Sequence, residues 1–291
     1  MHSLTLSAPA KINLFLRVLK KRADGYHDLQ TAFQFVSLCD QLHFEKTTGS
    51  ILERNYDLPG VDFEQDLVVK AAKALFKFAG LPVPGVKITL QKNIPTGAGL
   101  GGGSSDAATV LLGLNTLFSL GVSSEELQKI GLKLGADVPV FVRGVSAWAE
   151  GVGELLTPMK FPKSHFVLVY PQINVNTGEI FSHSRLTRRD LPIRMCASSI
   201  GSDYNKFRND CEDVVFALHP EVKLAYDQLS HYGRVRMSGT GSTLFVSAVD
   251  EEKAKDIAVS ISEIGKVFVV RGLNVSPATK ELESIKLSSG S

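Results

Sequence analysis

The sequence predicts an α+β fold made of two consecutive domains, and three observations lead to that prediction. Strand patterns fill residues 4–45, before the first helical pattern appears. From about Pro158 the strand and helix patterns start again, in an alternation that suits a ferredoxin-like split βαβ unit. A chain of 291 residues, 44% of them hydrophobic, can bury the core of one large or two ordinary domains. We therefore predict a first domain over residues 1–155 and a second over residues 156–291.

Apolar alternation and capping residues define the elements of the first domain. Strands are predicted over residues 4–6, 12–18, 29–38, 41–45 and 86–90, with a kinked junction at 8–11. Residues 46–65 are rich in loop-forming residues and give no clear pattern. Three helices are predicted: Asp66 to Ala79, Ala107 to Leu117 with Ser104, Ser105 or Asp106 as its cap, and a third that follows the capping-box pair Ser123 and Glu126 and stops at Gly135.

The second domain repeats these patterns in a different order. Residues 165–170 are predicted to form a strand, followed by a polar region to Ser202 and helices within 203–231. Two strands are predicted within 234–247, around the turn Gly239–Gly241, then a helix over 251–262 and a strand over 267–272. We expect the tail over residues 282–291 to be frayed.

Charge and cysteine content exclude several classes of function. The formal net charge is only +2, and no run of five or six like charges marks a nucleic-acid-binding arm. Cys39, Cys196 and Cys211 are widely spaced and odd in number, which predicts neither a disulfide framework nor a metal pair and suits a reducing cytoplasm. We expect no signal peptide and no membrane span, because the longest apolar stretches are interrupted by lysines. No protein partner is predicted.

A glycine-rich loop over residues 95–106 is the strongest chemical signal in the chain. It formally contains G-x-G-x-x-G, but the preceding strand ends near Leu90, Pro95 interrupts, and the acidic residue of a dinucleotide site is missing. No Gly-Lys-Ser/Thr follows, and the H-R-D and D-F-G motifs of protein kinases are absent. Backbone amides without Cβ atoms, followed directly by a helix, can converge on an anion. The loop therefore predicts a phosphate site, with a plain strand-to-helix linker as the alternative.

The loop also carries a family resemblance. PTGAGLGGGSSDAA over residues 95–108 resembles the central motif of the GHMP kinases, which phosphorylate small alcohols and acids such as galactose, homoserine and mevalonate. PAKINL over 9–14 and MSGTGSTL over 237–244 are similar to the two other motifs of that family, so the resemblance covers nearly the whole chain. It implies a two-domain fold with an N-terminal ribosomal protein S5 domain 2-like part and a C-terminal ferredoxin-like part. It also implies ATP as the phosphate donor, with Mg²⁺ to offset its charge.

Three further segments narrow the resemblance to one branch of the family. AKINLFL over 10–16, DGYHDL over 24–29 and GADVPVF over 135–141 resemble the bacterial and plastid members that act on a cytidine diphosphate-linked methylerythritol. Those members transfer the γ-phosphate of ATP to the 2-hydroxyl of that substrate, in the non-mevalonate route to isoprenoids. The two other classes left open are another kinase of the same family, which has no base to bind, and a non-catalytic sensor on the same fold.

By this resemblance, Asp137 is the general base on the substrate hydroxyl and Lys11 lies beside it, orienting it and offsetting charge near the γ-phosphate. Taken singly, Asp137 also fits a solvated loop carboxylate, and Lys11 a charge at a strand edge. The residues implied to hold ATP are Pro95, Thr96, Gly97, Ala98, Gly99, Leu100, Gly101, Gly102, Gly103, Ser104 and Ser105.

The resemblance assigns the acceptor to a second set of residues. Tyr26 and His27 are implied to hold the cytosine, Phe181 to add a second stacking ring, and Asn13 and Thr177 to contact polar groups of the substrate. Ordinary amphipathic packing is the alternative for the three rings. The protein ligands of Mg²⁺ stay open: Ser104 or Ser105 can offer a hydroxyl, but no paired carboxylates stand out.

Overall fold

The structure is a computed structural model that describes residues 1–189, 191–193 and 206–289. In this part of the chain ten strands join into one hydrogen-bonded sheet. The strands are β1 (Ser3–Lys21), β2 (His27–Lys46), β3 (Leu52–Arg54), β4 (Val86–Gln91), β5 (Ala147–Gly151), β6 (Leu155–Pro158), β7 (His165–Tyr170), β8 (Arg236–Met237), β9 (Leu244–Ala248) and β10 (Lys266–Leu273). The helices are α1 (Leu67–Phe78), α2 (Gly102–Leu117), α3 (Ser124–Leu132), α4 (Val138–Arg143), α5 (Thr177–Ser182), α6 (Glu212–Leu218), α7 (Pro220–Leu229), α8 (Glu251–Ser260) and α9 (Pro277–Ser289), with short 3₁₀ turns at Phe63–Gln65 and Ser230–Tyr232.

The long hairpin of β1 and β2 organises the first half of the sheet. The four separate strands predicted over residues 4–45 are two continuous strands, paired antiparallel from Ser3–Glu45 to Lys21–His27. The predicted kink is a register shift between Pro9 and Lys11. Such an irregularity turns side chains within one strand and so lets a single element serve both the core and a site.

Strands β7 to β10 confirm the ferredoxin-like arrangement of the second half. They lie in the order β10-β7-β9-β8, and β7 pairs antiparallel with both β9 and β10. Helices lie between β7 and β8 and between β9 and β10, which gives the β-α-β-β-α-β sequence of that fold. The mixed strand and helix content confirms the predicted α+β class.

The two halves share β10 and one of three apolar cores. The end of β10 pairs with β2 at Val36 and Phe35, so the sheet of the first half continues into that of the second. One core lies under α1, α2 and α3 and another under α6, α7 and α8, while a third joins side chains of β1 to side chains of β7 and β9. The predicted division at residues 155 and 156 stays a prediction.

Two predicted helix starts are confirmed by their caps. Asp66 accepts a hydrogen bond from the amide of Val68 at 2.9 Å at the start of α1. Ser123 and Glu126 form the capping box of α3, each bonding to the backbone of the other. In both helices the cap satisfies amide donors that have no partner inside the helix.

The start of α2 and the end of the chain correct the sequence prediction. Helix α2 begins at Gly102 and not at Ala107, and Gly101 is its N-cap with no side-chain hydrogen bond, so the predicted capping by Ser104, Ser105 or Asp106 is wrong. The glycines masked the helical pattern there. Residues 282–289 are not frayed, because they belong to α9, and Leu282 is buried in the first core.

Strands β3, β5 and β6 were not predicted from the sequence. Trp148 in β5 is a packing residue, since it is buried and its ring centroid lies 5.2 Å from that of Phe15. No helix in the described ranges combines the length and apolar character needed to cross a membrane. Cys39 and Cys211 are free thiols, and Cys196 lies outside the described residues.

Candidate active site

The glycine-rich loop joins β4 to α2 and presents the amino end of α2 to a cavity. Gly101 caps the helix at a φ of 72°, in the left-handed region that favours glycine. A Cβ at Gly101 would lie 3.1 Å from Cε of Lys11, so the missing side chain leaves room for the lysine. The amide of Ser105 already donates to the Gly101 carbonyl at 2.9 Å. The amides of Gly102, Gly103 and Ser104 therefore belong to the first turn, which has no acceptor within the helix and can bind an anion.

Lys11 and Asp137 meet beside this loop. The Nζ atom of Lys11 lies 3.2 Å from Oδ2 of Asp137, and their side chains are 4% and 32% exposed. The two residues come from β1 and from the N-cap position of α4, where the side chain of Asp137 makes no cap hydrogen bond and stays free to act elsewhere. The pair thus combines a buried cation with a carboxylate that solvent or a ligand can reach.

Further hydrogen bonds fix the ammonium group of Lys11. It donates to Oδ1 of Asn13 at 2.6 Å and to the carbonyl of Gly99 at 3.2 Å. Asn13 in turn donates through Nδ2 to Oγ1 of Thr31 at 2.9 Å. Asn13 lines the cavity, but its amide group is engaged with two neighbouring side chains, which gives it a role in holding Lys11 that the sequence did not suggest.

The turn at Gly239–Gly241 packs against the glycine-rich loop. The hydroxyl of Ser238 donates to the carbonyl of Gly99 at 2.9 Å and accepts from the amide of Asn13 at 3.2 Å. Asn209 donates to the carbonyls of Met237 and Gly239, at 2.9 and 2.6 Å. The second half of the chain therefore fixes the geometry of the phosphate end of the cavity.

Aromatic rings gather at the other end of the cavity. The rings of His27 and Phe181 stack with their centroids 5.5 Å apart and their planes 26° from parallel. Tyr26 precedes His27 and is 61% exposed, and its amide donates to Oδ1 of Asp24 at 3.1 Å. Nε of Arg188 donates to Nε2 of His27 at 3.3 Å. Burial first, and then the charges of Arg188 and Lys21, lower the pKa of His27 below its usual value, so the ring is neutral at pH 7.

A single cavity of about 800 Å³ brings these groups together, within the size range of ligand sites in proteins. Most predicted site residues line it: Lys11, Asn13, Tyr26, His27, Pro95, Thr96, Gly97, Ala98, Gly99, Gly101, Gly102, Gly103, Ser104, Asp137, Thr177 and Phe181. Leu100 and Ser105 do not: their side chains are buried, and Leu100 contributes its carbonyl, which accepts from the amide of Lys11 at 3.0 Å.

Several lining residues escaped the sequence analysis. They include Leu16, Leu29, Thr31, Phe33, Leu67, Val152, Val175 and Thr240, together with Lys21 and Asp24. Thr31 and Phe33 alternate along β2 with the same period as the core, so strand alternation alone gave no reason to assign them to a site. Leu67 follows the cap of α1 directly, and the hydroxyl of Thr240 bonds to that of Thr177 at 2.9 Å.

A second buried charge cluster lies beneath the glycine-rich loop. Nζ of Lys92 bonds to Oδ2 of Asp40 at 2.5 Å and to Oδ2 of Asp106 at 2.8 Å. Asp40 also accepts two backbone amides, from Asn93 at 2.6 Å and from Ile94 at 2.8 Å. Oδ1 of Asp106 is buried without a hydrogen-bond partner. Burial and the nearby Asp40 raise the pKa of Asp106 to about 8, although Lys92 acts in the opposite direction.

The described residues offer no protein cage for a metal ion. Within them, no group of three or more His, Cys, Asp or Glu side chains is arranged to hold one. A magnesium ion that keeps several waters and binds mainly through phosphate oxygens does not need such a cage. Ser104, in the first turn of α2, lines the cavity and has the hydroxyl chemistry to join such a site.

The fold and the site together define a kinase that acts on a small molecule. The model of the GHMP kinase N-terminal domain matches residues 66–145, and that of the GHMP kinase C-terminal domain matches residues 194–267. A curated protein of Marinobacter nauticus named 4-diphosphocytidyl-2-C-methyl-D-erythritol kinase is 46% identical over 97% of this chain and 99% of its own length. A protein of the same name from Pseudomonas syringae pv. tomato is 44% identical over 96% of this chain and 98% of its own.

Solved structures give the same result. A crystal structure of 4-(cytidine 5'-diphospho)-2C-methyl-D-erythritol kinase matches with a TM-score of 0.80 and 36% identity, covering 92% of this chain and 99% of that one. Homoserine kinase from Cytophaga hutchinsonii matches with a TM-score of 0.67 at 15% identity over 95% and 96% of the two chains, a likeness of fold alone. The chain belongs to the GHMP kinase family and, within it, to the group of these 4-diphosphocytidyl-2-C-methyl-D-erythritol kinases.

Proposed function

We propose that the chain transfers the γ-phosphate of ATP to the 2-hydroxyl of 4-diphosphocytidyl-2-C-methyl-D-erythritol, a step in the synthesis of isoprenoid precursors. The observation that carries this proposal is the Lys11–Asp137 contact of 3.2 Å, between a phosphate-type loop and a cluster of aromatic rings. The relatives' shared name supplies the particular substrate.

The two ends of the cavity suit the two substrates. The first-turn amides of α2, at Gly102, Gly103 and Ser104, are suited to the phosphates of ATP, because they add the partial positive charge of a helix terminus. Tyr26, His27 and Phe181 offer flat faces and a ring hydrogen-bonding group to a cytosine. With ATP bound at one end and the base of the acceptor at the other, the hydroxyl of the acceptor lies between them, beside Asp137.

Asp137 is the proposed base. Its carboxylate accepts the proton of the attacking hydroxyl, and Lys11 holds that carboxylate at a fixed distance. The ammonium group of Lys11 also offsets negative charge that develops on the transferred phosphoryl group. A magnesium ion, when bound with ATP, would neutralise part of the triphosphate charge. We propose that the hydroxyl of Ser104 would be the protein side chain nearest to that ion. Cys39 and Cys211, both free thiols, fit a reducing cytoplasm as the proposed location.

A coupled assay of ADP release tests the proposal. Purified protein with ATP, Mg²⁺ and the diphosphocytidyl substrate should release ADP, and Asp137→Asn should lower kcat by about 10²–10⁴-fold, the usual contribution of a general base. Asp227→Asn is the matched control, because Asp227 also pairs with a lysine, Lys223, but on the surface of α7.

Binding measurements separate the proposed function from its alternatives. Titration calorimetry should detect CDP binding that weakens in Tyr26→Ala; no CDP binding would indicate another acceptor within the family. No ADP release from wild-type protein, with normal ligand binding in Asp137→Asn, would instead indicate a sensor without catalysis.

A further inference from the structure

The segment over residues 185–189 is anchored to β1 and brings Arg188 into contact with His27, a residue that lines the aromatic end of the cavity. The backbone amide of Arg189 donates to the carbonyl of Val18 at 2.8 Å, and its guanidinium group bonds to Oδ1 of Asp210 at 2.9 Å. Asp210 is buried and also accepts the amide of Val18 at 3.1 Å. Leu186 is buried in the core of the second half. These anchors give the neighbouring Arg188 a defined position beside Nε2 of His27.

Only one protonation form of the His27 ring is compatible with its contact to Arg188. Nε of Arg188 lies 3.3 Å from Nε2 of His27. A guanidinium group donates hydrogen bonds and cannot accept them, so Nε2 must present its lone pair. A neutral imidazole with an unprotonated Nε2 carries its proton on Nδ1. The arginine therefore selects the Nδ1–H form of the ring.

The surroundings of His27 keep that form neutral. The two charged groups that lower the pKa of its ring are both cations: Arg188, at Nε2, and Lys21, its partner across the β1–β2 hairpin. Phe181 covers one face of the ring, and the residue is 5% exposed. Two cations and burial all oppose a second proton, which accounts for the lowered pKa of the ring.

Nδ1 remains for a ligand. Within the described ranges it has no hydrogen-bond partner, and His27 lines the cavity between Tyr26 and Phe181. We propose that Arg188 is a positioning residue that holds His27 as an Nδ1–H donor and thereby makes the site select a cytosine over a uracil. This inference rests on the proposed function, since it concerns the base that the proposed acceptor carries.

The selectivity follows from the ring chemistry of the two bases. N3 of cytosine carries a lone pair and accepts a hydrogen bond, whereas N3 of uracil carries a hydrogen. An Nδ1–H group that meets N3 of the base in its plane therefore donates a hydrogen bond to cytosine. At uracil it would face a second donor, the N3–H group, and could form no hydrogen bond there. The Nε2–H form of His27 would instead present an acceptor at Nδ1 and favour the wrong base.

The first test reads the state of the ring directly in the free protein. In ¹⁵N-histidine-labelled wild-type protein at pH 7.5, the two-dimensional ¹⁵N–¹H spectrum should show His27 as neutral Nδ1–H, with the signal assigned by its loss in His27→Gln. In Arg188→Met the Nε2–H form should gain population, and in Arg188→Lys, which can still donate to Nε2, the Nδ1–H form should persist. Wild-type His27 found as Nε2–H or as imidazolium would overturn the proposal.

The second test measures base selectivity with CDP and UDP. Losing one hydrogen bond to the base corresponds to about a tenfold change in Kd, so Arg188→Met should weaken CDP binding by about that factor and UDP binding by less than about twofold. Arg185→Met is the matched control, because Arg185 is another exposed arginine of the same segment and its charge is not among those that shift the pKa of His27.

The outcomes separate the two proposals. Equal loss of CDP and UDP affinity in Arg188→Met would mean that Arg188 acts only on the phosphates or on folding, and would refute the selectivity. An unchanged CDP-to-UDP ratio would refute it as well. If wild-type protein binds neither nucleotide, the proposed acceptor fails, while the ring spectrum still decides whether Arg188 sets the form of His27.

Discussion

The cluster of Lys92, Asp40 and Asp106 makes the stability of the protein depend on pH in a direction that can be tested. One lysine lies between two buried carboxylates, at 2.5 and 2.8 Å. Asp40 also accepts hydrogen bonds from two backbone amides, so both of its oxygens have partners. Asp106 has one oxygen without a partner, so it is the carboxyl that keeps a proton when only one negative charge is balanced.

The sign of the effect follows from the raised pKa of Asp106, which is about 8 in the folded protein and near 3.8 without the fold. Between these values the folded state holds a proton that the unfolded chain has lost. Unfolding therefore releases a proton, and the free energy of unfolding falls as pH rises through this window. The limiting slope is about 1.4 kcal/mol per pH unit. Because Asp106 is coupled to Asp40 and Lys92, we take about half of this slope, or roughly 2 kcal/mol between pH 5 and 8.

Asp106→Asn isolates this contribution, because the amide resembles the protonated acid and does not titrate. Urea unfolding of both proteins at pH 5, 6, 7 and 8 should give similar midpoints at pH 5. At pH 8 the variant should be more stable than wild type by about 2 kcal/mol. Asp40→Asn serves as the contrast, since it removes the ionised partner of Lys92 and of two amides, and should cost about 2–4 kcal/mol.

Parallel pH profiles for wild type and Asp106→Asn would refute this reasoning. So would a variant that is already destabilised by more than about 2 kcal/mol at pH 5, because an ionised Asp106 would then be what stabilises the fold there.

Two further predictions use matched pairs of residues. Gly99→Ala should lower kcat by at least about tenfold and cost about 1–3 kcal/mol, because a Cβ there meets the carbonyls of Ser238 and Gly241 beside the Lys11 contact. Gly121→Ala is the control, because Gly121 has a similar φ of 67° but open space around it; it should cost only about 1–2 kcal/mol and leave kcat unchanged. Equal effects of Gly99→Ala and Gly121→Ala on kcat would contradict the prediction. Leu282→Ala should cost about 2–4 kcal/mol in thermal unfolding, since the side chain is 8% exposed, whereas Leu287→Ala, 79% exposed, should be within about 0.5 kcal/mol of wild type. If neither Leu282→Ala nor Leu287→Ala changed the stability, α9 would not be packed on the protein in solution.

Local signals in the sequence were sufficient for most of the fold. Asp66 and the pair Ser123 and Glu126 cap helices where predicted, because a cap depends on residues within one turn. The start of α2 was missed for the opposite reason: glycine has low helix propensity, and this helix begins with Gly102 and Gly103 and has no side-chain cap. Helix α9 was missed because it packs on β1, at the far end of the sequence.

The residues of the candidate site could be predicted where they belong to a contiguous sequence motif. Lys11 and Asp137 lie together as the family resemblance implied, although 126 positions separate them. Arg188 could not have been found in this way, since it stands in a polar segment without a motif, and only the folded chain brings it to His27. The same holds for Lys92, whose two partners come from β2 and α2.

The shared strand β10 has a consequence for how the chain folds. Its pairing with β2 joins residues more than 230 positions apart, and α9 then returns to β1, where Glu281 bonds to Ser7. Loop closure over such distances is slow, because its entropy is lost before the contact is gained. During synthesis the hairpin of β1 and β2 is made first, but its edge at Phe35 and Val36 stays unpaired until β10, the last strand of the described chain, has been made. Nascent chains that end before β10 should therefore expose this edge and depend most on chaperones.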